Sequence, residues 1–294
     1  MRNFDYSKLV TRTWDNEILL YVAKIHEYKG KQELYIRQKP VELNRLVQIA
    51  KVQSTEASNR IEGIVTTNSR LKQLVEDKTT PQNREESEIL GYRNVLNLVH
   101  ENYSMIPVRP NYILQMHRDL LKYTSLSYGG QFKTTPNEID AMLPNGERQV
   151  LFRPLEPYET PDAIAMICES YQRTLEKEQV DPLILIPCFI LDFLCIYPFN
   201  DGNGRMSRLL TLLLLYRSGY VVGQYISIEK AIADTKDAYY EALALEDFRW
   251  HEEENDPKPF IKYMLGIILS CYREFEERIT MVNRAGQKVL LMIW

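Results

Sequence analysis

The segment from Ile196 to Arg208 combines residue types that phosphate chemistry requires. It reads IYPFNDGNGRMSR and lies between two apolar runs, so it is predicted to be a short loop between two buried helices. Gly202, Asn203 and Gly204 then stand at the start of the second helix. Glycines allow close backbone approach there, and the unpaired N–H groups of a first helical turn attract anions. The sequence therefore predicts a phosphate-binding loop.

Three charged residues extend this predicted site. Arg205 and Arg208 are three residues apart and hence lie on one face of the second helix, where their guanidinium groups can grip a polyphosphate. Asp201 stands just before the helix, where its carboxylate is placed to hold Mg²⁺ through oxygen ligands. Together these residues predict a site for a magnesium-bound nucleotide.

The same stretch resembles the signature of the Fic (fido) family of nucleotidyltransferases, H-P-F-x-D/E-G-N-G-R-x-x-R. The matching residues are Pro198, Phe199, Asp201, Gly202, Asn203, Gly204, Arg205 and Arg208. A signature of this length and mixed residue type is specific. Tyr197 stands where the family has its catalytic histidine.

The resemblance implies an all-α, mainly helical Fic fold with one β-hairpin, the flap, which aligns a segment of a target protein. It also implies transfer of AMP from ATP to a Ser, Thr or Tyr hydroxyl. By resemblance, Asp201 would hold Mg²⁺ on the phosphates, Asn203 would shape the loop or touch the nucleotide, and Phe199 would anchor the loop in the core. The cofactors predicted are ATP and Mg²⁺.

A second motif lies near residue 60. Ser58 and Glu62 are four residues apart on one helix face, followed by Gly63 as a helix stop. The segment SNRIEG resembles the inhibitory motif S/T-x-x-x-E-G/N of one class of Fic proteins, in which the glutamate reaches the second signature arginine. By position that partner is Arg208. Alone, Glu62 would be an ordinary solvated residue; beside the signature, it is predicted to act as a brake on ATP binding.

The tyrosine at position 197 leaves the activity open. A phenol with a pKa near ~10 is protonated at neutral pH, whereas a histidine near ~6.5 can accept a proton. Three outcomes remain: a slow AMP transferase, a nucleotide-binding regulatory module without chemistry, or removal of AMP with Glu62 aligning a water. His117 is predicted to be a packed histidine rather than a replacement base, since it lies mid-helix among leucines and isoleucine.

The rest of the chain is predicted to be helices that position these motifs. One helix is expected to begin at Thr80-Pro81, one segment to run over 226–245, and a final helix to span 257–280. The turn Asn145-Gly146 and the strand residues 149–152 predict the hairpin. The predicted organisation is an N-terminal helical region, 1–105, with the inhibitory helix at about 41–64; a Fic core, 106–247, with the flap at about 129–153 and the signature loop at 196–208; and a C-terminal helical extension, 248–294.

Composition excludes several classes of protein. A net charge of −4 argues against a binder of nucleic acid that uses a broad basic surface, and the residues after the last helix are too few for a winged-helix module. The longest apolar stretch contains Pro187 and Asp192, which favours a buried helix over a membrane span. The four cysteines read as reduced thiols, so a cytoplasmic location is predicted. A homo-oligomer is left open.

Overall fold

The computed structural model describes residues 2–38, 40–142, 148–247 and 249–285. Short 3₁₀ turns aside, the elements are α1 Asn16–Gln38, α2 Pro40–Ile61, α3 Asn68–Val75, α4 Arg84–Asn102, α5 Pro110–Leu121, β1 Ile139–Met142, β2 Arg148–Phe152, α6 Thr160–Glu176, α7 Pro182–Ile196, α8 Asn203–Arg217, α9 Ile228–Asp234, α10 Lys236–Asp247 and α11 Lys258–Ala285. The chain is thus mainly α-helical with one small hairpin, as predicted.

Helices α7 and α8 form the centre of the molecule. Every residue of α7 after Pro182 is buried, which explains why the sequence there is apolar on all sides. The helix begins where the Asp181 carboxylate accepts the Leu183 N–H at 2.8 Å, with Pro182 at the first helical position. It continues through Pro187, which lies inside the helix. The loop between α7 and α8 is the predicted signature loop.

Helix α2 carries the second motif to this centre. It packs against α4, α8 and α9 and ends at Ile61. Gly63 has a φ of 77°, a left-handed conformation that suits glycine and stops the helix where the sequence predicted. This stop turns Glu62 out of the helix and toward α8.

Two helix boundaries differ from the sequence prediction. Helix α4 begins at Arg84 rather than at Thr80-Pro81, because the Asn83 side chain accepts the Glu86 N–H at 2.8 Å and supplies the cap. The segment 226–245 is divided into α9 and α10, with Thr235 between them in a non-helical conformation. Helix α3 was not predicted at all.

Strands β1 and β2 pair antiparallel as a two-stranded sheet, with Ile139 opposite Phe152 and an irregularity after Ile139. The predicted turn Asn145-Gly146 lies outside the described residues. The main hydrophobic core is a single cluster of side chains, whose members come from all along the chain between Phe4 and Ile279. Among the described residues, no helix combines the length and apolarity needed to cross a membrane.

Candidate nucleotide-binding site

The signature loop is shaped by two left-handed residues. Tyr197 ends α7 with φ 51° and ψ 64°, and its N–H still donates to the Phe193 carbonyl at 3.0 Å. Gly202 precedes α8 with a φ of 83°. The first reversal takes the chain out of α7, and the second directs it into α8. The N–H groups of the first turn of α8 consequently face the loop.

Asn203 clamps the loop from inside. Its Oδ1 accepts the Phe199 N–H at 2.9 Å, and its Nδ2 donates to the Phe199 carbonyl at 2.8 Å. Asn203 is itself buried, and Phe199 is fully buried below it. Both of these hydrogen bonds hold loop backbone in place.

His117 on α5 holds the other side of the loop. Its ring stacks on Phe199 with centroids 3.7 Å apart. Because Nδ1 accepts the Gly130 N–H at 3.1 Å, the proton lies on Nε2, which donates to the Asp201 carbonyl at 3.0 Å. Burial lowers the pKa of His117 to about 4, so the imidazole is neutral. The sequence predicted a packed histidine but did not reveal that it contacts the loop.

Asp201 presents a carboxylate at the surface of the site. Its Oδ1 accepts the Gly202 N–H at 2.6 Å and lies 3.6 Å from the Arg205 guanidinium. Among the described residues, the cation near its Oδ2 is Arg84, whose Nη2 is 3.9 Å away. The side chain is 36% exposed, which leaves oxygen lone pairs accessible.

Arg205 does not face the same space as Arg208. Its guanidinium is buried, and Nη1 pairs with Glu88 Oε2 at 2.8 Å. Glu88 is also buried and accepts Arg84 Nε at 2.8 Å. The two arginines were predicted to act together on one helix face. In this structure they pair with different carboxylates, Arg205 with Glu88 and Arg208 with Glu62. Sequence reasoning missed Glu88, because α4 is remote from the signature and nothing local marks this residue.

Arg208 contacts both residues of the second motif. Nε donates to Ser58 Oγ at 2.8 Å, Nη2 donates to the Ser58 carbonyl at 2.9 Å, and Nη2 pairs with Glu62 Oε1 at 2.7 Å. A Cβ placed on Gly204 would lie 2.3 Å from Glu62 Oε1, so the carboxylate sits directly against the first turn of α8. The contact predicted between Glu62 and Arg208 is present; its inhibitory effect remains a prediction.

Tyr197 lines the same cavity as Glu62 and Arg208, and its phenol is neutral. Burial raises the pKa of its hydroxyl, and the nearby Glu62 and Asp201 carboxylates raise it further, against a hydrogen bond from Asn203. Proton abstraction by this side chain at neutral pH is correspondingly unfavourable.

These residues open onto a cavity of about 410 Å³. This volume lies within the range usual for small-molecule sites. Its lining residues are Glu62, Ile139, Asp140, Leu151, Leu194, Tyr197, Gly204, Arg208, Tyr239, Tyr240, Leu243 and Ala244. The charged end holds Arg208 and Gly204, and the opposite walls are largely apolar. Other predicted residues do not line this cavity: Gly202, Asn203, Asp201, Arg205 and Ser58.

Comparisons with known proteins agree with this fold. Residues 107–215 match the model of the Fic/DOC family. A protein adenylyltransferase Fic from Drosophila erecta is 25% identical over 275 residues, which cover 87% of this chain and 50% of that protein. The chain spans about half the length of the curated relatives it matches.

Solved structures share the architecture. A Fic family protein from Desulfovibrio desulfuricans G20 superposes with a TM-score of 0.72 at 23% identity, covering 90% of this chain and 76% of that one. A Fic domain containing signaling protein from Bacteroides thetaiotaomicron VPI-5482 gives 0.71 at 22% identity, covering 90% and 98%. The fold is that of Fic proteins. Within this fold, residues 107–215 are the part of the chain that is similar to the Fic/DOC family.

Proposed function

We propose that this protein binds Mg·ATP and transfers AMP to a hydroxyl side chain of a target protein, with Glu62 restraining the reaction. The observation that carries the proposal is the Glu62 carboxylate, which pairs with Arg208 at 2.7 Å and lies against Gly204 at the start of α8. An anion already sits at a helix N-terminus beside a buried arginine. Phosphate favours the same environment.

The cavity beside this anion site suits the rest of ATP. Tyr239, Tyr240 and Leu243 on α10 supply aromatic and apolar walls for a nucleobase. Tyr239 is buried, whereas Tyr240 remains 45% exposed at the rim. The cavity thus combines apolar and aromatic walls, which suit a base, with the Arg208 guanidinium, which suits phosphates.

Asp201 fits a magnesium site. Mg²⁺ commonly uses one or two carboxylates and completes its shell with water and substrate phosphates, and Asp201 offers an accessible carboxylate with a lightly engaged Oδ2. When bound, the ion would neutralise phosphate charge as the bond to the leaving pyrophosphate breaks. Asp201 itself is kept in place by the His117 contact to its carbonyl.

The chain's own residues would bind and orient rather than abstract a proton. Arg208 would position a terminal phosphate, and the N–H groups at the start of α8 would stabilise developing charge. Tyr197 holds its proton, and His117 cannot replace a base because both ring nitrogens are engaged. Loss of general-base catalysis typically lowers rates ~10²–10⁴-fold, so the proposed transfer is slow.

Glu62 would restrain the reaction in two ways, by occupying the phosphate position and by its negative charge. Its carboxylate takes a donor of Arg208 and repels phosphate at the same position. The target would dock beside it at the hairpin, where β1 and β2 pair only with each other among the described residues. An extended target segment could add to such an edge. The four cysteines are buried, and a cytoplasmic location remains a prediction.

A second candidate is a nucleotide-binding regulatory module that performs no chemistry. The raised pKa of the Tyr197 phenol favours it, because the position that should accept the proton cannot do so. The two candidates share the ATP site and differ only in whether ATP is consumed.

Label transfer from α-phosphate-labelled ATP to protein separates them. The proteins to compare are Glu62→Gly, Glu62→Gly with Tyr197→His, and each of these with Asp201→Ala as the negative control. The proposal expects weak labelling by Glu62→Gly, stronger labelling with the histidine restored, and none without Asp201. Labelling by the double variant alone would support the module, and labelling by neither would contradict AMP transfer.

A further inference from the structure

Behind Arg208, on the side away from the cavity, lies a buried chain of hydroxyl groups that ends at a carboxylate. Arg208 Nε donates to Ser58 Oγ at 2.8 Å. Burial raises the pKa of the Tyr92 phenol and a hydrogen bond from Ser58 opposes that rise, while Tyr92 itself donates to Glu229 Oε1 at 2.9 Å. Each hydroxyl accepts one hydrogen bond and donates the next, so all the hydrogen bonds of this hydroxyl chain point from Arg208 toward Glu229.

The end of the chain is fixed as well. Ser54 Oγ donates to Glu229 Oε2 at 2.7 Å, and Ser227 Oγ lies 3.4 Å from the same oxygen. Burial raises the pKa of the Glu229 carboxyl, while the donors Ser54 and Tyr92 and the charge of Arg208 oppose that rise. Glu229 is 1% exposed and thus has no solvent to replace these partners.

The chain of hydroxyl groups joins four helices at one point. Ser58 belongs to α2, Tyr92 to α4, Arg208 to α8 and Glu229 to α9. All four residues are at most 3% exposed. A buried hydroxyl without its partner loses about 1–3 kcal/mol, so these groups hold one another in a single arrangement.

We propose that Tyr92 and Glu229 are positioning residues for Arg208. They hold its guanidinium toward the cavity through Ser58, whether or not Glu62 is bound to it. Arg208 loses its carboxylate partner when Glu62 is displaced, and a buried guanidinium without a countercharge is costly to hold in one place. The hydroxyl chain keeps it in place for phosphate. The inference rests on the proposed function, because it takes Arg208 as a phosphate ligand.

The test compares ATP with AMP. If Arg208 contacts a terminal phosphate, loss of its support weakens ATP binding and leaves AMP binding unchanged, whereas general loosening of the fold weakens both. In the Glu62→Gly background, Tyr92→Phe removes one hydroxyl at constant shape. The matched control is Tyr272→Phe, because Tyr272 is also fully buried and its hydroxyl has no hydrogen-bond partner among the described residues.

Isothermal calorimetry with Mg²⁺ should show about tenfold weaker ATP binding for Glu62→Gly/Tyr92→Phe and less than about twofold change for AMP. Glu229→Gln in the same background should act in the same direction, and Tyr272→Phe should change neither affinity. Equal losses for ATP and AMP, or no loss, would overturn the inference. If Glu62→Gly itself binds no ATP, the proposed function is wrong and the inference falls with it.

A second measurement needs no nucleotide. The ¹⁵N-bound Nε proton of Arg208, assigned by its loss in Arg208→Lys, should exchange slowly in the unmodified protein, since Ser58 accepts it in a buried site. It should exchange faster in Tyr92→Phe and remain slow in Tyr272→Phe. Unchanged exchange in Tyr92→Phe would show that the chain does not position Arg208.

Discussion

At the scale of single residues, residue type alone could not reveal which side chains contact one another in the site. The signature identified Arg208 and the second motif identified Glu62, and their contact is present at 2.7 Å. It did not identify Glu88, which binds Arg205, because a long-range ion pair leaves no periodic or local pattern in a sequence. Nor did it show that both nitrogens of His117 are used.

His117 gives the protein a pH-dependent stability. Its pKa is about 4 in the folded protein and near its ordinary 6.5 when unfolded. Between these values the unfolded chain binds a proton that the folded protein excludes, so stability is full above pH 6.5 and falls as the pH drops toward 4. The slope from this group is at most about 1.4 kcal/mol per pH unit.

Urea unfolding between pH 7 and pH 5 measures this slope. His117→Gln, which carries no titrating group, should show a flatter dependence of the free energy of unfolding on pH, although it is less stable overall. His100, whose pKa burial lowers to about 3, contributes equally to both proteins. Parallel profiles for the two proteins would exclude His117 as the source.

At the scale of elements, the sequence predicted those whose signals are local. Asp181-Pro182 begins α7 and Gly63 ends α2, as their capping chemistry indicated. It misplaced the start of α4, because Thr80 and Asn83 are both acceptable caps and only packing selects between them. It joined α9 to α10, since the break at Thr235 interrupts a continuous helical pattern.

The entry into α8 depends on the left-handed conformation of Gly202. An added Cβ there would be strained at a φ of 83° and would lie 3.2 Å from Leu120 Cδ2. We therefore expect Gly202→Ala to lower the free energy of unfolding by about 1–2 kcal/mol. The same substitution at Gly266, inside α11 with no atom within 4 Å of the added Cβ, should raise it by about 0.5–1 kcal/mol.

Urea unfolding of the two alanine variants tests this contrast. Equal changes of the same sign would mean that the conformation of Gly202 does not control the loop. Labelling activity of Gly202→Ala should fall as well, because the N–H groups of α8 would be turned away from the cavity.

At the scale of the whole molecule, one core links regions that the sequence suggested as separate. Asp192 on α7 illustrates this, because its buried carboxylate accepts Tyr6 Oη at 2.9 Å and Trp250 Nε1 at 2.8 Å. These partners lie near opposite ends of the chain. Periodicity and capping predict helices, but partners so distant in sequence emerge only when the helices pack, and the division into three regions remains a prediction.

The same packing brings together Glu62, which is the proposed brake, Arg208 and the residues that we propose to position Arg208. Helix α2 brings Glu62 and Ser58 to Arg208 on α8, while α4 and α9 support the guanidinium from behind through Tyr92 and Glu229. The central claim is that this assembly is an ATP site closed by a carboxylate of its own chain.

The most direct test is the affinity for Mg·ATP, measured by isothermal calorimetry on the unmodified protein, Glu62→Gln and Glu62→Gly. Glu56→Gln serves as the control, since Glu56 lies on α2 and pairs with Arg60 at the surface. Removing the carboxylate charge should tighten binding about tenfold or more, and the control should bind as the unmodified protein does. An affinity that is the same with and without the Glu62 carboxylate would contradict the account.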